Sequence, residues 1–234
     1  GLVAKQHLAG DGIHYEPRWF KSWPTGVQVT WESPAGPLPL GDQTFDFQHD
    51  GRPLRVGFEI CEDAWVADRP GGRLAGLAVD LILNPSASHF AFGKQAIRER
   101  FVVEGSRAFA VAYVYANLLG NESGRAIYDG GAIVASGGEI VARGPRLTLD
   151  EWRLTTAVGD IGRNKVTRAR TASFEPQFQR QTFPPMRIHH TFGEHPIPTL
   201  KPETLPAWEC GPHHKEEEFC RAVSLGLLDY MRKS

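Results

Sequence analysis

"RVGFEICEDAWVADRP" (residues 55–70) runs an apolar, β-leaning stretch, Val56, Phe58 and Ile60, into a cysteine, two acids and a tryptophan. The alternation predicts a strand over 53–61 that ends at Cys61. A thiol where a strand gives way to a loop is where α/β enzymes keep nucleophiles. Free cysteine is also a common core residue, so the surroundings must decide. Downstream, "VDLILNP" (79–85) is a near-continuous apolar run stopped by Asn-Pro, as in strands buried on both faces. Residues 94–110 place Ile97, Phe101, Gly105 and Phe109 at helical spacing, which predicts an amphipathic helix. "AVAYVYANLLG" (110–120) reads as another buried strand, 130–145 as a hairpin around Gly137-Gly138, and 153–161 as a further strand. Strands separated by helices, plus a hairpin, predict a mixed-sheet α/β layered domain.

Upstream, residues 1–8 read as a strand end. Residues 9–52, rich in Gly, Pro and Trp, read as a long loop with a short hairpin between "GVQVTWES" and "QTFDFQHDG". Beyond Ile161 the character changes: 162–214 carries many Pro, His, Arg and Gln residues and reads as a linker or wrapping segment. A last helix is predicted from near Lys215, with Phe219, Val223, Leu227 and Tyr230 or Met231 as its apolar stripe. Both ends read as cut, so the chain is taken as a piece of something longer.

The 234 residues are 41% hydrophobic with a net charge of −1. That suits one full core and calls for neither nucleic acid nor an anionic membrane as partner. No apolar run approaches the ~20 residues of a membrane span. The three cysteines, Cys61, Cys210 and Cys220, are no disulfide framework or zinc set. They suggest a reducing, cytoplasmic setting in which a lone thiol stays available. The histidines at 189–190, 195 and 213–214 lack the spacing of a rigid site, and no metal is expected.

A thiol attacks a carbonyl as thiolate, and amide hydrolysis also needs a proton for the departing ammonia and donors for the oxyanion. At a strand end, the backbone N–H of Glu62 can serve the oxyanion, and a lysine can supply charge.

At this point "GFEICEDAW" resembles the nucleophile motif of the nitrilase superfamily of carbon–nitrogen hydrolases. The acid pair after the cysteine is similar to the form found in the glutaminase domain of glutamine-dependent NAD⁺ synthetases. "KQHLAGDGIHYEPRWF" (5–20) resembles the stretch with that family's catalytic lysine, and "NPSASHFAFGK" (84–94) its glutamine-binding stretch. "NLLGNESGRAIYDGGAIVASGGEIVARGP" (117–145) resembles the segment around its Asp-Gly-Gly hairpin, and 216–234 the first helix of its ATP-dependent domain.

The resemblance implies a nitrilase-like α-β-β-α sandwich over 1–161, incomplete at the N-terminus, then the linker. Residues 215–234 would begin an adenine-nucleotide-hydrolase-like synthetase domain. It implies Cys61 as nucleophile, Lys5 as catalytic lysine, Glu16 as an acid orienting lysine or substrate, and Ser88 and Lys94 as holders of the glutamine α-amino and α-carboxylate end. Glutamine would be the substrate and a homo-oligomer the assembly. No cofactor is implied for this segment; ATP and Mg²⁺ belong to the synthetase domain. The sequence departs from the family at Leu8-Ala9-Gly10-Asp11, where a Leu-Pro-x-Tyr run is usual. The family's general-base glutamate lies well before the lysine, hence before residue 1, so this segment by itself is expected to be inactive. The rival readings are a stand-alone nitrilase-like amidase or carbamoylase, and a catalytically dead scaffold.

Overall fold

The computed structural model describes residues 1–10, 12–49, 52–122, 125–171, 173, 183–189 and 203–234. In chain order its elements are β1 (Leu2–Val3), α1 (Glu16–Trp19), β2 (Gln28–Ser33), β3 (Gly36–Gly41), β4 (Phe45–His49), β5 (Arg52–Phe58), a 3-10 turn (Cys61–Ala64), α2 (Pro70–Gly76), β6 (Leu81–Ser86), α3 (Lys94–Ala108), β7 (Ala112–Asn117), β8 (Leu119–Glu122), β9 (Ala126–Asp129), β10 (Ala132–Ser136), β11 (Glu139–Arg143), α4 (Ile161–Arg170), β12 (Met186–His189), a second 3-10 turn (Ala207–Cys210) and α5 (His214–Lys233).

The centre is a seven-stranded sheet in the order β11-β10-β7-β6-β5-β4-β12. Strands β5, β6 and β7 are parallel, which requires crossovers; α2 and α3 supply them. β10 runs antiparallel to β7, and the β10–β11 hairpin closes over Gly137-Gly138, both at positive φ. The core lies between the helices and one sheet face: Leu74 of α2 and Val102 of α3 pack on Ile82, Val111, Tyr113, Tyr115 and Ile133. Phe45, Phe47, Leu54, Phe58, Leu83 and Ile188 turn to the opposite face, where they line a wholly apolar groove of about 320 Å³.

The apolar strands, α3 and the hairpin stand where the patterns put them. Two readings are corrected. The loop hairpin is β2–β3, with β4 instead joining the main sheet. Residues 153–160 form no strand; Trp152 and Leu154 are largely exposed, and among the described residues no edge pairs with them. Within the segment read as a linker or wrapping segment, α4 lies on the body, its Arg168 donating to the Val79 carbonyl at 2.6 Å and pairing with Asp80 at 3.0 Å.

The apolar stripe of α5, Phe219, Val223, Leu227, Tyr230 and Met231, faces outward, and Glu218, Ala222, Leu225 and Gly226 are buried. Small residues at 222 and 226 let the helix approach β8 and β9 closely: a Cβ on Gly226 would lie 3.0 Å from Ile127. The calls at Asp11, His190 and His195 lie outside the described residues. Among the described residues no helix is long and apolar enough to cross a membrane.

Candidate active site

Cys61 opens the 3-10 turn that follows β5, with φ at +50°. Residues with a side chain rarely adopt that region, and they persist there only when their surroundings over-determine the backbone. Asp63 supplies that constraint. Its carboxylate accepts the N–H of Ile60 at 2.8 Å, on the near side of the cysteine. It also accepts the N–H groups of His7 at 2.7 Å and Gln6 at 3.2 Å, and lies 3.1 Å from His7 Nδ1. Burial pushes the Asp63 carboxyl above its ordinary value, with the Ile60 and His7 hydrogen bonds pulling the other way. One buried side chain therefore ties the cysteine turn to the Lys5–His7 segment.

The floor of the turn is equally fixed. Glu59, wholly buried, accepts from Arg69 Nη2 at 2.5 Å, from the Gly71 N–H at 2.6 Å and from the Tyr113 hydroxyl at 2.6 Å. Asn84 donates to the same hydroxyl at 3.1 Å. Burial, then the Glu59 charge, drives the Tyr113 hydroxyl far above its ordinary value, so it acts as a neutral donor.

Lys5 Nζ lies 2.5 Å from Glu16 Oε2. Glu16, in the first turn of α1, also accepts the Ala9 N–H at 2.7 Å, while its own N–H donates to the Ala9 carbonyl. The loop is thereby folded back onto the lysine.

Cys61 and Glu16 share a cavity of about 260 Å³ whose walls include His14, Tyr15, Trp19, Ala87, Glu122, Arg125 and Tyr128. The Tyr128 hydroxyl donates to Glu122; burial and that carboxylate hold it well above its ordinary value. The wall thus presents a neutral phenol on the thiol's side.

Ser88 and Lys94 are not in that wall. Ser88 is buried, its hydroxyl 3.2 Å from Arg98 Nη2, and its neighbour Ala87 faces the cavity instead. Lys94, the first residue of α3, lies over Trp65 with Nζ 3.3 Å from His89 Nδ1. That same nitrogen is 2.9 Å from His14 Nε2, so Lys94 reaches the cavity wall through two imidazoles. Glu62 sits in the 3-10 turn, its carbonyl accepting the Trp65 N–H at 2.9 Å. Sequence reasoning passed over Asp63, His14, His89, Glu122 and Tyr128. Only Asp63 carried a signal, its place in the acid pair.

The structure thus sets a strand-end thiol and the carboxylate of the Lys5–Glu16 pair on one cavity. No protein-family model matches the chain. The glutamine-dependent NAD(+) synthetase of Oryza sativa subsp. indica is 30% identical over 246 aligned positions, which cover 98% of this chain and 32% of that protein. The chain is similar to glutamine-dependent NAD(+) synthetases over nearly its whole length. It spans about a third of the length of the curated relatives it matches. Among solved structures, the glutamine-dependent NAD(+) synthetase of Cytophaga hutchinsonii is 44% identical over 64% of this chain and 23% of its own, with a TM-score of 0.54. A carbon-nitrogen hydrolase from Helicobacter pylori G27, 19% identical over 70% of this chain and 54% of its own, shares the fold with a TM-score of 0.51.

Proposed function

We propose that this chain is the glutamine-hydrolysing portion of a glutamine-dependent NAD⁺ synthetase, working through a cysteine thioester. The observation that carries the reading is the placement of Cys61 at positive φ in a turn that Asp63 ties to the Lys5 segment. Homology to the synthetases over nearly the whole chain supports it.

The Cys61 sulfur, as thiolate, adds to the side-chain carboxamide carbon of glutamine. Negative charge moves onto the carbonyl oxygen, where Lys5 and the Glu62 N–H are assigned to receive it; donors fixed in advance are worth most at that moment. The tetrahedral species collapses: the C–N bond breaks, the nitrogen takes up a proton, ammonia leaves and a γ-glutamyl thioester remains. Water then adds to the thioester, glutamate departs and the thiol is restored. The base for this water is assigned to the upstream glutamate that the resemblance implies. Glu16, paired with Lys5 at 2.5 Å, keeps the ammonium in place rather than free to rotate.

The α-β-β-α sandwich belongs to the same reading. The apolar groove on the sheet face opposite α2 and α3 supports it, since such a face calls for a second layer. So does the proposed use of the ammonia, with ATP and Mg²⁺, by a synthetase domain to amidate deamido-NAD⁺; no residue of this chain is assigned to hold them. A thiol-directed diazoketone analogue of glutamine tests the assignment in the complete protein. It should label Cys61 and block glutamine hydrolysis in parallel. Labelling elsewhere, with Cys61 unmodified and activity lost, would refute it.

A further inference from the structure

Two arginines and three carboxylates form a continuous buried ladder from α5 to the turn beside the thiol cavity. Glu218 on α5 lies 2.9 Å from Arg146 Nη1. Arg146 reaches Glu209 with its Nε at 3.1 Å and its backbone N–H at 3.0 Å. The same Nη1 is 3.4 Å from Asp129, which accepts from Arg98 Nη1 at 2.7 and 2.8 Å. Arg98 Nη2 then donates to the carbonyls of Ser88 at 2.8 Å and His89 at 3.1 Å.

Asn117 closes the far end. Its amide donates to Asp129 at 3.1 Å and to the Ser88 carbonyl at 2.9 Å, and its oxygen accepts the Ser88 N–H at 2.8 Å. Both backbone polar groups of Ser88 are therefore held, and the adjacent Ala87 lines the cavity of Cys61.

The side chains of Arg98, Asp129, Arg146 and Glu218 are 0–4% exposed. Water cannot replace a missing partner at that depth, so each charge depends on its neighbour. The turn is also held by the His89–Tyr128 bridge and by the Phe90 N–H donating to the Ile127 carbonyl at 2.7 Å; the ladder adds a restraint at Ser88 that is anchored on a helix distant in sequence.

We propose that Arg98 and Asp129 are positioning residues for the 87–89 turn, and that through Arg146 and Glu218 the order of this turn depends on how α5 is seated. The consequence for glutamine affinity rests on the function proposed above; the coupling itself does not.

Glu218→Gln in the complete protein is the test, because it removes the charge and keeps the shape. Hydrogen exchange at the Ser88 N–H should quicken about tenfold, the scale of a typical intersite coupling, while β5 exchanges as before. The KM for glutamine should rise by a similar factor with kcat within about twofold. Glu217→Gln, in the exposed pair with Arg221, should change neither reading. Unchanged Ser88 exchange, or equal quickening in β5, would overturn the proposal. Should Glu218→Gln not fold, Arg146→Lys, which keeps the charge but loses the fork, takes its place with the same readings. Quickened Ser88 exchange in a protein that hydrolyses no glutamine would refute the glutaminase reading and leave the ladder standing.

Discussion

The buried carboxylate of Asp63 accepts the backbone N–H of His7 at 2.7 Å, across 56 residues of chain. With the Gln6 N–H at 3.2 Å and His7 Nδ1 at 3.1 Å on the same carboxylate, this bond joins the turn that carries Cys61 to the segment that carries Lys5.

Asp63→Ala leaves the N–H groups of Ile60, His7 and Gln6 without their side-chain acceptor. A buried unsatisfied donor costs about 1–3 kcal/mol, so urea denaturation should show a loss of about 2–4 kcal/mol in all. Asp63→Asn keeps one acceptor oxygen and should recover part of it. A change within about 0.5 kcal/mol for Asp63→Ala, the range of ordinary surface substitutions, would contradict the assigned role.

Cys61→Ala in the complete protein should abolish glutamine-dependent NAD⁺ formation and leave ammonia-dependent formation intact. The thiol has no part in the amidation itself. Continued turnover with glutamine in this variant would remove Cys61 from the mechanism.

Lys5→Ala should collapse kcat, since the role proposed for its charge is to receive an oxyanion that exists only after attack. Lys94→Ala should chiefly raise the KM for glutamine, because the α-carboxylate it is assigned to hold is the same before and during the reaction. Steady-state kinetics on the pair separate the roles; equal kcat losses would show that the division is wrong.

Tyr128 stays neutral through the range in which an ordinary tyrosine, near 10.0, ionises, because burial and Glu122 hold its proton. A raised phenol pKa means that the alkaline limb of the kcat/KM profile cannot come from this group. Tyr128→Phe should leave that limb at the same pH. A limb that moves upward in the variant would show Tyr128 to be the titrating group.

Much of the fold was legible because its signals are local. The period-two run into Cys61, the apolar run at 79–85 and the glycine pair at 137–138 each state their element within a few residues. The helix α5 was legible as a helix but not in its orientation. Its apolar stripe could be read from the spacing; the face that docks on this body, with Ala222 and Gly226 at the close approach, could not. Likewise Ser88 stood out in the sequence, yet its hydroxyl is taken up by Arg98, and Ala87 meets the cavity.

By itself the sequence determined the buried strands of a mixed sheet, the helix α3, the thiol at a strand end and the motif that resembles the synthetases'. Each depends on side-chain period or on residues adjacent along the chain. Only the tertiary structure decided that Asp63 would hold the lysine segment, that His14 and His89 would link Lys94 to the cavity, and that Arg98, Asp129, Arg146 and Glu218 would share one buried ladder. Those partners lie tens of residues apart. A charged side chain looks the same in sequence whether water or a distant opposite charge will satisfy it; burial removes the water and makes the choice.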